Sequence, residues 1–378
     1  MTTPASVLIV GESLAGTTAA RELRTLGYGG AITVIGAERH GPYSRPPLSK
    51  TVLKDPTADE SLGLRLDDLG VDVARTTATG VDVDRRVVTA VDGSFAYDAL
   101  IIATGAEARR IAVPGQRGEL VLRTLDDARR LRARMADARS AIVLGAGFLG
   151  MEVAGACAAR GVPVTVVDVD RPLERVLGGY LSAAITARAR ERGIRFHHAR
   201  GLATLAGDPV SGVRLPDGTV LTADLVVTCA GESPCTGWLA GSGLADGLGV
   251  GIDHACSTGV PGVFAAGDVT YLRANEGSVP PRRAPFWANA VAQGRVAAAS
   301  VLGLPAAGPP TDDFFWTEVA GLAIKVVGPL PVTGEPTARD GDPGAGRALL
   351  TWDRPDGRST VVAYGLRKSV AALRALAS

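Results

Sequence analysis

The chain has 378 residues, of which 46% are hydrophobic and 21% charged, so it is long enough for two or three domains with apolar cores. Its 40 Lys and Arg residues nearly balance 39 Asp and Glu residues, and the formal net charge of +1 argues against nucleic acid or an anionic membrane as the main partner. The N-terminal residues MTTPASVLIVG carry no basic segment before the apolar run, and no run of about 18 apolar residues occurs, so we expect a cytoplasmic protein without a signal peptide or membrane span.

The first predicted elements are a strand, a turn and a helix near the N-terminus. Residues 6–10 are an apolar run typical of a buried parallel strand, residues 11–16 read GESLAG, and a helix is predicted over residues 17–27. The next apolar segment, AITVIG, leads to Glu38. Such a turn brings backbone N–H groups to a pyrophosphate, and an acid about 20 residues further on binds a ribose hydroxyl. The pattern predicts a dinucleotide site, although Ser13 replaces the middle glycine.

Two further apolar strands are followed by small or acidic residues. Residues 99–110 read ALIIATGAEARR, with Ala-Thr-Gly at 103–105, and residues 262–270 read GVFAAGDVT, with Gly-Asp at 267–268. In doubly wound sheets, ligands lie beyond the carboxyl ends of the strands. These residues are therefore candidates for the same site.

A second strand, turn and helix repeat the pattern in the middle of the chain. Residues 141–144 are apolar, residues 145–150 read GAGFLG, and a helix is predicted to about residue 160, with Gly161 as its C-terminal stop. The three glycines have separate uses: a tight turn, close approach of the backbone to a pyrophosphate, and close helix–strand packing. Two such turns in one chain indicate two nucleotide sites.

The acid that follows the second turn is Asp168, at the end of the predicted strand PVTVVD. A carboxylate there binds the ribose 2′-hydroxyl and repels a 2′-phosphate, which favours NADH over NADPH. Arg171 and Arg175 follow closely and act against that preference.

The remaining segments are predicted from periodicity and turn residues. A helix is expected over about residues 286–302, and the Asp-Gly pair in VRLPDGTVLTADLVV indicates a hairpin. In residues 310–378, TEVAGLAIKVVG and RALLTWDRPDGRSTVVAYG predict strands, the second a hairpin around residues 355–357. LRKSVAALRALA predicts a short amphipathic helix.

The cysteines do not form a pattern of metal or redox chemistry. Cys157, Cys229, Cys235 and Cys256 lack C-x-x-C spacing, and the four histidines form no ligand pattern with them. We expect packed thiols and no metal site.

The ordered motifs resemble those of the FAD-dependent, NADH-using ferredoxin reductases of oxygenase systems. This is the putidaredoxin and rubredoxin reductase-like branch of the pyridine nucleotide-disulfide oxidoreductase superfamily, which shares the glutathione reductase fold. The resemblance covers roughly residues 6–300. The motifs that carry it are GxSxxG at 11–16, GPYSRPPLSK at 41–50, ATG at 103–105, GxGxxGxE at 145–152 and AAGD at 265–268.

The resemblance implies an α/β fold with two Rossmann-like dinucleotide-binding domains and a small α+β C-terminal domain. The FAD-binding domain would comprise residues 1–108 and 235–309, with the NADH-binding domain inserted at 109–234. Residues 310–378 would cover the flavin and contribute to an interface, in a monomer or homodimer.

The resemblance also implies which residues bind each cofactor. Those expected to bind FAD are Gly11, Ser13, Leu14, Ala15, Gly16, Glu38, Arg45, Pro47, Lys50, Ala103, Thr104, Gly105, Gly267, Asp268, Phe286, Trp287 and Ala288. Those expected to bind NADH are Gly145, Gly147, Phe148, Leu149, Gly150, Glu152, Asp168, Arg175 and Gly231. NADPH is the less favoured nucleotide.

By the same resemblance, the catalytic residues are Lys50 and Glu152. The lysine of RPPLSK would lie by the reactive N5 edge of the flavin and pair with the glutamate after the second glycine turn. The alternative from the residues alone is that Pro46 and Pro47 start a helix that leaves Ser49 and Lys50 on a solvated face.

Two positions depart from the pattern of the resembling enzymes. Pro285 occupies the place of a glutamate two residues before Trp287, and Trp316-Thr317-Glu318-Val319 replaces W-S-x-Q. These departures leave the electron acceptor open. The first hypothesis is transfer to a [2Fe–2S] ferredoxin that serves a P450 or Rieske oxygenase. The alternatives are a flavin enzyme acting directly on a small molecule or O2, and an apoptosis-inducing-factor-like flavoprotein whose partner binding is controlled by NADH.

A basic rim would suit an acidic ferredoxin. Candidates for such a rim are Arg282, Arg283, Arg295, Arg367 and Lys368. The alternative is that these residues are ordinary solvated surface.

Overall fold

A computed structural model describes residues 3–273 and 283–377. In chain order, the strands of the described residues are β1 (Ser6–Val10), β2 (Ala31–Ile35), β3 (Asp72–Ala74), β4 (Ala78–Asp82), β5 (Val87–Ala90), β6 (Gly93–Ala96), β7 (Ala99–Ile102), β8 (Ala106–Ala108), β9 (Ala141–Leu144), β10 (Val164–Asp168), β11 (Ile194–His198), β12 (Thr204–Ala206), β13 (Gly212–Arg214), β14 (Val220–Thr222), β15 (Leu225–Thr228), β16 (Glu232–Pro234), β17 (Val250–Ile252), β18 (Val263–Ala265), β19 (Thr270–Leu272), β20 (Phe314–Val319), β21 (Leu322–Val327), β22 (Ala338–Asp342), β23 (Arg347–Asp353) and β24 (Ser359–Tyr364).

The α-helices, numbered in the same way, are α1 (Leu14–Thr25), α2 (Thr51–Lys54), α3 (Leu125–Asp137), α4 (Phe148–Ala159), α5 (Glu174–Glu191), α6 (Trp287–Val301) and α7 (Val370–Ala377). Short 3-10 helices cover Pro46–Ser49, Pro56–Ser61, Asp67–Leu69 and Gly237–Leu239.

The chain forms two compact units. The first comprises the described parts of Met1–Ser44, Glu60–Glu107 and Ser233–Asp312. The second comprises the described parts of Arg45–Asp59, Ala108–Glu232 and Asp313–Ser378.

A five-stranded parallel sheet lies at the centre of the first unit, in the order β18-β7-β1-β2-β3. All four residues of β7 and four of the five in β1 are buried, as expected for strands covered on both faces. Helices α1 and α6 pack closely together. A Cβ at Gly294 of α6 would lie 2.6 Å from the carbonyl oxygen of Ala15, so this contact requires glycine.

The second unit contains a four-stranded parallel sheet in the order β11-β10-β9-β15. Every residue of β9 and β15 is buried. Strands β12, β13 and β14, which come between β11 and β15 in the sequence, form a separate antiparallel sheet. The pair Asp217-Gly218 lies between β13 and β14. The hairpin predicted from this Asp-Gly pair is confirmed.

The C-terminal part of the second unit is an antiparallel sheet in the order β20-β21-β24-β23-β22. Helix α7 places Leu373, which is fully buried, in an apolar cluster with Val327, Val361 and Ala363. The predicted hairpin around residues 355–357 and the short amphipathic helix are both confirmed.

The predicted α/β class with parallel sheets is confirmed, but the start of α1 was predicted wrongly. The helix begins at Leu14 rather than at residue 17, because Ser13 is already the extended residue before the helix. The last glycine of the turn, Gly16, therefore lies within the first helical turn. The predicted stop of α4 is confirmed, since Gly161 follows the helix with φ +76. Among the described residues, every helix is too short or too polar to span a membrane.

Candidate active site

The first glycine turn joins β1 to α1 next to the end of β7. Gly11 has φ +112, and a Cβ there would lie 2.1 Å from the carbonyl oxygen of Ala103. A Cβ at Gly16 would lie 1.9 Å from the carbonyl oxygen of Gly11, so both positions require glycine. Ser13 precedes α1 without a side-chain cap hydrogen bond. The N-terminal N–H groups of α1 are therefore not capped by this side chain, which suits an anion-binding turn.

Two acidic side chains near this turn have defined partners. Glu12, inside the turn, is only 6% exposed, and its carboxylate forms an ion pair with Arg75. The pair offsets the negative charge that Glu12 brings to the turn. Glu38, the predicted ribose-binding acid, lies three residues beyond β2 and accepts a hydrogen bond from the hydroxyl of Tyr43.

The other candidates of the first unit follow β7 and β18, which are neighbours in the parallel sheet. Residues 103–105 and 267–268 consequently lie at the same edge. The hydroxyl of Thr104 donates to the carbonyl oxygen of Cys235 at 2.9 Å. The backbone N–H of Gly267 donates to Oε1 of Gln293 in α6 at 2.7 Å, while Asp268 is partly exposed.

The start of α6 carries the last candidates of this unit. Phe286 is the residue before the helix, Trp287 is its first residue and is 40% exposed, and Ala288 is buried. Arg45, Pro47 and Lys50, also predicted to bind FAD, lie in the second unit.

The second glycine turn repeats the geometry of the first. Gly145 has φ +108, and a Cβ there would lie 2.3 Å from the carbonyl oxygen of Cys229 at the end of β15. A Cβ at Gly150 would lie 1.9 Å from the carbonyl oxygen of Gly145. The turn is again shaped by the backbone of a neighbouring strand, and α4 begins directly after Gly147.

Gly147 differs from these glycines because no contact within the described residues requires glycine at this position. Its φ of −73 and ψ of −173 are open to any residue. No described heavy atom apart from its chain neighbours lies within 4 Å of a Cβ built at this position. The middle glycine thus leaves open space at the N-terminus of α4, as close approach of a ligand would require.

The predicted acid of this turn is held by backbone N–H groups. Asp168 accepts from Ala146 at 2.5 Å and from Asp170 at 3.1 Å. It borders a cavity of about 710 Å³, whose wall also includes Arg171 and Arg190. The cavity therefore offers both an acid and cations.

The side chain of Arg175 pairs with a residue of the cavity wall. It forms an ion pair with Asp170 and is 72% exposed. Arg171, rather than Arg175, lines the described cavity. Gly231 has φ +94 and accepts a hydrogen bond from the N–H of Arg109 at 3.0 Å.

Lys50 and Glu152 form a buried ion pair within the second unit. The Lys50 ammonium lies 2.9 Å from both carboxylate oxygens, and the two side chains are only 11% and 6% exposed. Glu152 lies on the first turns of α4, and Lys50 follows the 3-10 helix Pro46–Ser49. The prolines do start a helix, as the alternative interpretation held, but Lys50 does not lie on a solvated face.

Sequence reasoning missed two further partners of Glu152. The hydroxyl of Ser49 donates to Oε2, and the hydroxyl of Thr317 donates to Oε1 at 2.6 Å. Both donors are buried. Ser49 could have been predicted as a partner because it adjoins Lys50 in the sequence. Thr317 could not, because it lies 165 positions from Glu152 in the chain.

Three of the four cysteine thiols are disfavoured as nucleophiles. Desolvation raises the pKa of Cys157, Cys229 and Cys256 to about 12. Thiolates, the reactive species, are consequently scarce at these positions at neutral pH. Residues 3–273 and 283–377 contain no group of three or more His, Cys, Asp or Glu side chains arranged to hold a metal ion.

A family model described as pyridine nucleotide-disulphide oxidoreductase matches residues 5–294. The chain belongs to this family. The resemblance inferred from the glycine turns and the ATG and AAGD motifs is thereby confirmed, together with the expected fold.

Relatives of known function within the pyridine nucleotide-disulphide oxidoreductase family match most of the chain. The ferredoxin reductase component of chlorobenzene dioxygenase from a Cupriavidus species is 36% identical over 365 residues, covering 94% of this chain and 88% of the relative. The ferredoxin--NAD(+) reductase component of the biphenyl dioxygenase system from Paraburkholderia xenovorans is 34% identical, covering 93% and 88%. The crystal structure of the ferredoxin reductase for the CYP199A2 system from Rhodopseudomonas palustris is similar with a TM-score of 0.86 and 32% identity, covering 96% of this chain and 91% of that one.

Proposed function

We propose that this protein is an NADH-dependent flavoprotein reductase that delivers electrons to a ferredoxin-type protein of an oxygenase system. The observation that carries the proposal is the presence of two strand–turn–helix units, around Gly11 and Gly145, in which backbone crowding requires glycine. Two dinucleotides in one chain are what hydride transfer from NADH to FAD needs. The names of the dioxygenase relatives supply the direction of electron flow.

The residues present fit both cofactors. We assign FAD to the first turn and NADH to the second, with the residues predicted from the sequence, and we retain residues 1–108 with 235–309, 109–234 and 310–378 as the proposed domains. Glycine at 147 supports a pyrophosphate at the N-terminus of α4, where N–H groups and the helix dipole favour negative charge. The ion pair of Glu12 with Arg75 supports an anion at the first turn.

We assign the catalytic roles to Lys50 and Glu152. When bound, the flavin supplies the chemistry that accepts a hydride and passes on single electrons. Lys50 would provide positive charge where negative charge develops during flavin reduction, and Glu152 would hold the ammonium in place. Burial of both side chains supports these roles, because a preorganised charge acts more strongly away from water.

Nucleotide choice would depend on Asp168. We expect Asp168→Ala to raise the KM for NADH about tenfold, because a hydrogen bond to the ribose hydroxyl is lost. The preference for NADH over NADPH should narrow at least as much, because the repulsion of a 2′-phosphate also disappears. Steady-state kinetics with both nucleotides checks this. Asp217→Asn, in an exposed turn of the same unit, is the charge-matched control and should change neither KM. An unaltered preference in Asp168→Ala would remove Asp168 from nucleotide selection.

The acceptor is tested by reducing the protein with NADH under anaerobic conditions and then offering a [2Fe–2S] ferredoxin, a rubredoxin, a quinone and O2 in turn. We expect ferredoxin to reoxidise it at least tenfold faster than O2, and ferredoxin-dependent cytochrome c reduction to fall as salt is added. Fast NADH oxidation without an iron–sulfur protein would instead indicate a small-molecule oxidoreductase. Slow turnover with a long-lived charge-transfer absorption would indicate an NADH-controlled binding protein.

The salt dependence would draw on the proposed basic rim. Arg283 and Arg295 belong to the first unit, and Arg295 lies 3.9 Å from Glu22. Arg367 and Lys368 are exposed residues of the second unit. Arg282 lies outside the described residues.

A further inference from the structure

Strand β20 presents one face to helix α4. Its buried residues alternate with more exposed ones, so that Phe315, Thr317 and Val319 share the inward face. The ring centroids of Phe315 and Phe148, the first residue of α4, lie 4.9 Å apart. The period of two therefore points Thr317 towards the same helix that carries Glu152.

Helix α4 also lies close to the turn that follows β20. A Cβ at Gly155 would lie 3.5 Å from the backbone nitrogen of Ala320, which is an ordinary van der Waals distance. An alanine at this position would therefore leave β20 and the Thr317 hydroxyl in place.

Glu152 receives hydrogen bonds from two segments that are distant in the chain. Ser49 and Lys50 donate from one side. From β20, the hydroxyl of Thr317 donates to Oε1 at 2.6 Å, and the backbone N–H of Glu318 donates to the same oxygen at 3.4 Å. Lys50 supplies a positive charge, while the other donors are neutral.

The Thr317 contact is shielded from water. Thr317 is 1% exposed and Glu152 is 7% exposed. If the hydroxyl were absent, water could not readily replace it, and the loss of a hydrogen bond to a buried charged group is costly. A bond of this kind contributes much more here than it would at the surface.

Several charged and titratable groups lie near Glu152. Among the described residues they include Lys50, the ion pair of Lys54 with Glu318 at 3.6 Å, and the thiol of Cys229, which itself lies near that of Cys157. Desolvation raises the pKa of both thiols to about 12, so they stay neutral near pH 7. Lys50 is the cation that contacts the carboxylate directly.

We propose that Thr317 is a positioning residue for hydride transfer: its hydroxyl fixes the Glu152 carboxylate in the orientation that holds Lys50. This proposal rests on the proposed function, because it assigns Thr317 to the same catalytic pair. It also gives the C-terminal segment a part in flavin reduction other than that of a cover or an interface. Thr317 occupies the serine position of the W-S-x-Q pattern and keeps the hydroxyl, although Gln is replaced by buried Val319.

The test compares Thr317→Val, which removes the hydroxyl while conserving shape, with Thr317→Ser, which keeps it. Anaerobic stopped-flow measurement should show flavin reduction by NADH slowed about tenfold at pH 7 in Thr317→Val and within about twofold of the parent in Thr317→Ser. The Kd for NADH and the flavin content should stay within about twofold in both variants.

A second readout does not depend on the flavin. In flavin-free protein labelled with 13C at glutamate side-chain carboxyls, the chemical shift of the Glu152 carboxyl at pH 7 should differ from the parent in Thr317→Val and match the parent in Thr317→Ser, because the Val variant lacks the hydrogen bond. Identical reduction rates and identical Glu152 carboxyl shifts in the parent and Thr317→Val would overturn the proposal. An equal loss of rate in both variants would also overturn it, since Thr317→Ser keeps the hydroxyl and should keep the rate.

Failure of the proposed function looks different from failure of this role. If NADH does not reduce the flavin of the parent protein, the proposed function fails. The chemical shift of the Glu152 carboxyl still decides in that case whether the Thr317 hydroxyl holds this carboxylate. If the parent is reduced and Thr317→Val behaves identically in every readout, the reductase assignment stands and the positioning role is wrong.

Discussion

Replacement of Lys50 by Met should slow flavin reduction by NADH about 100-fold, with a much smaller change in the Kd for NADH. We expect a decrease of this size because the variant loses a preorganised charge in a site that excludes water, and such a loss typically lowers the rate 10²- to 10³-fold. The Lys50 side chain is only 11% exposed and lies 2.9 Å from Glu152, so solvent cannot supply an equivalent charge. Rapid-mixing experiments over a range of NADH concentrations separate the limiting rate from binding.

The control for this prediction is Lys54→Met. Lys54 lies four positions further along the same segment, and its ammonium is 3.6 Å from Glu318, but its side chain is 46% exposed. An exposed pair contributes little, so we expect a rate within about twofold of the parent. The double variant Lys50→Met with Glu152→Gln distinguishes the lost cation from an unpaired buried carboxylate. A parent-like reduction rate in Lys50→Met would exclude Lys50 from catalysis.

Gly147→Val should abolish tight NADH binding while leaving the fold intact. The space beside Gly147 is open, so the side chain meets no described atom of the protein and would occupy the volume assigned to the pyrophosphate. We expect the Kd for NADH to rise at least about 100-fold, equivalent to about 2.7 kcal/mol of binding free energy. The flavin content, measured by absorption, and the Tm, measured by calorimetry, should stay close to those of the parent.

Two other glycines of the same turn and helix serve as references. Gly155→Ala places a Cβ 3.5 Å from its nearest neighbour, an ordinary contact, and should leave NADH binding unchanged. Gly150→Ala places a Cβ 1.9 Å from a carbonyl oxygen and should lower Tm as well as binding. If Gly147→Val binds NADH as tightly as the parent does, the pyrophosphate does not lie at this turn.

Local features of the sequence predicted most of the fold. The apolar runs of β1, β7, β9 and β15 indicated buried parallel strands, and the glycine spacing indicated the two turns. These signals succeed because each depends on residues close together in the chain. The start of α1 was missed by three residues because the glycine pattern does not separate the turn from the first turn of the helix.

Long-range packing limited the prediction of the site. The sequence did not indicate that residues 45–59 pack with the unit that carries the second turn. The ion pair of Arg175 with Asp170 could likewise not be predicted from spacing alone. The alternating burial of β20 could have indicated that Thr317 points inward, but its target on α4 is visible only in the fold.

The central claim is that one chain binds a flavin and NADH and passes a hydride between them. The most direct measurement is an anaerobic titration of the purified, flavin-loaded protein with NADH, followed through its visible spectrum. We predict that about one equivalent of NADH bleaches the flavin absorption completely. A folded protein that takes up no flavin, or whose flavin absorption is unchanged by excess NADH, would contradict the account.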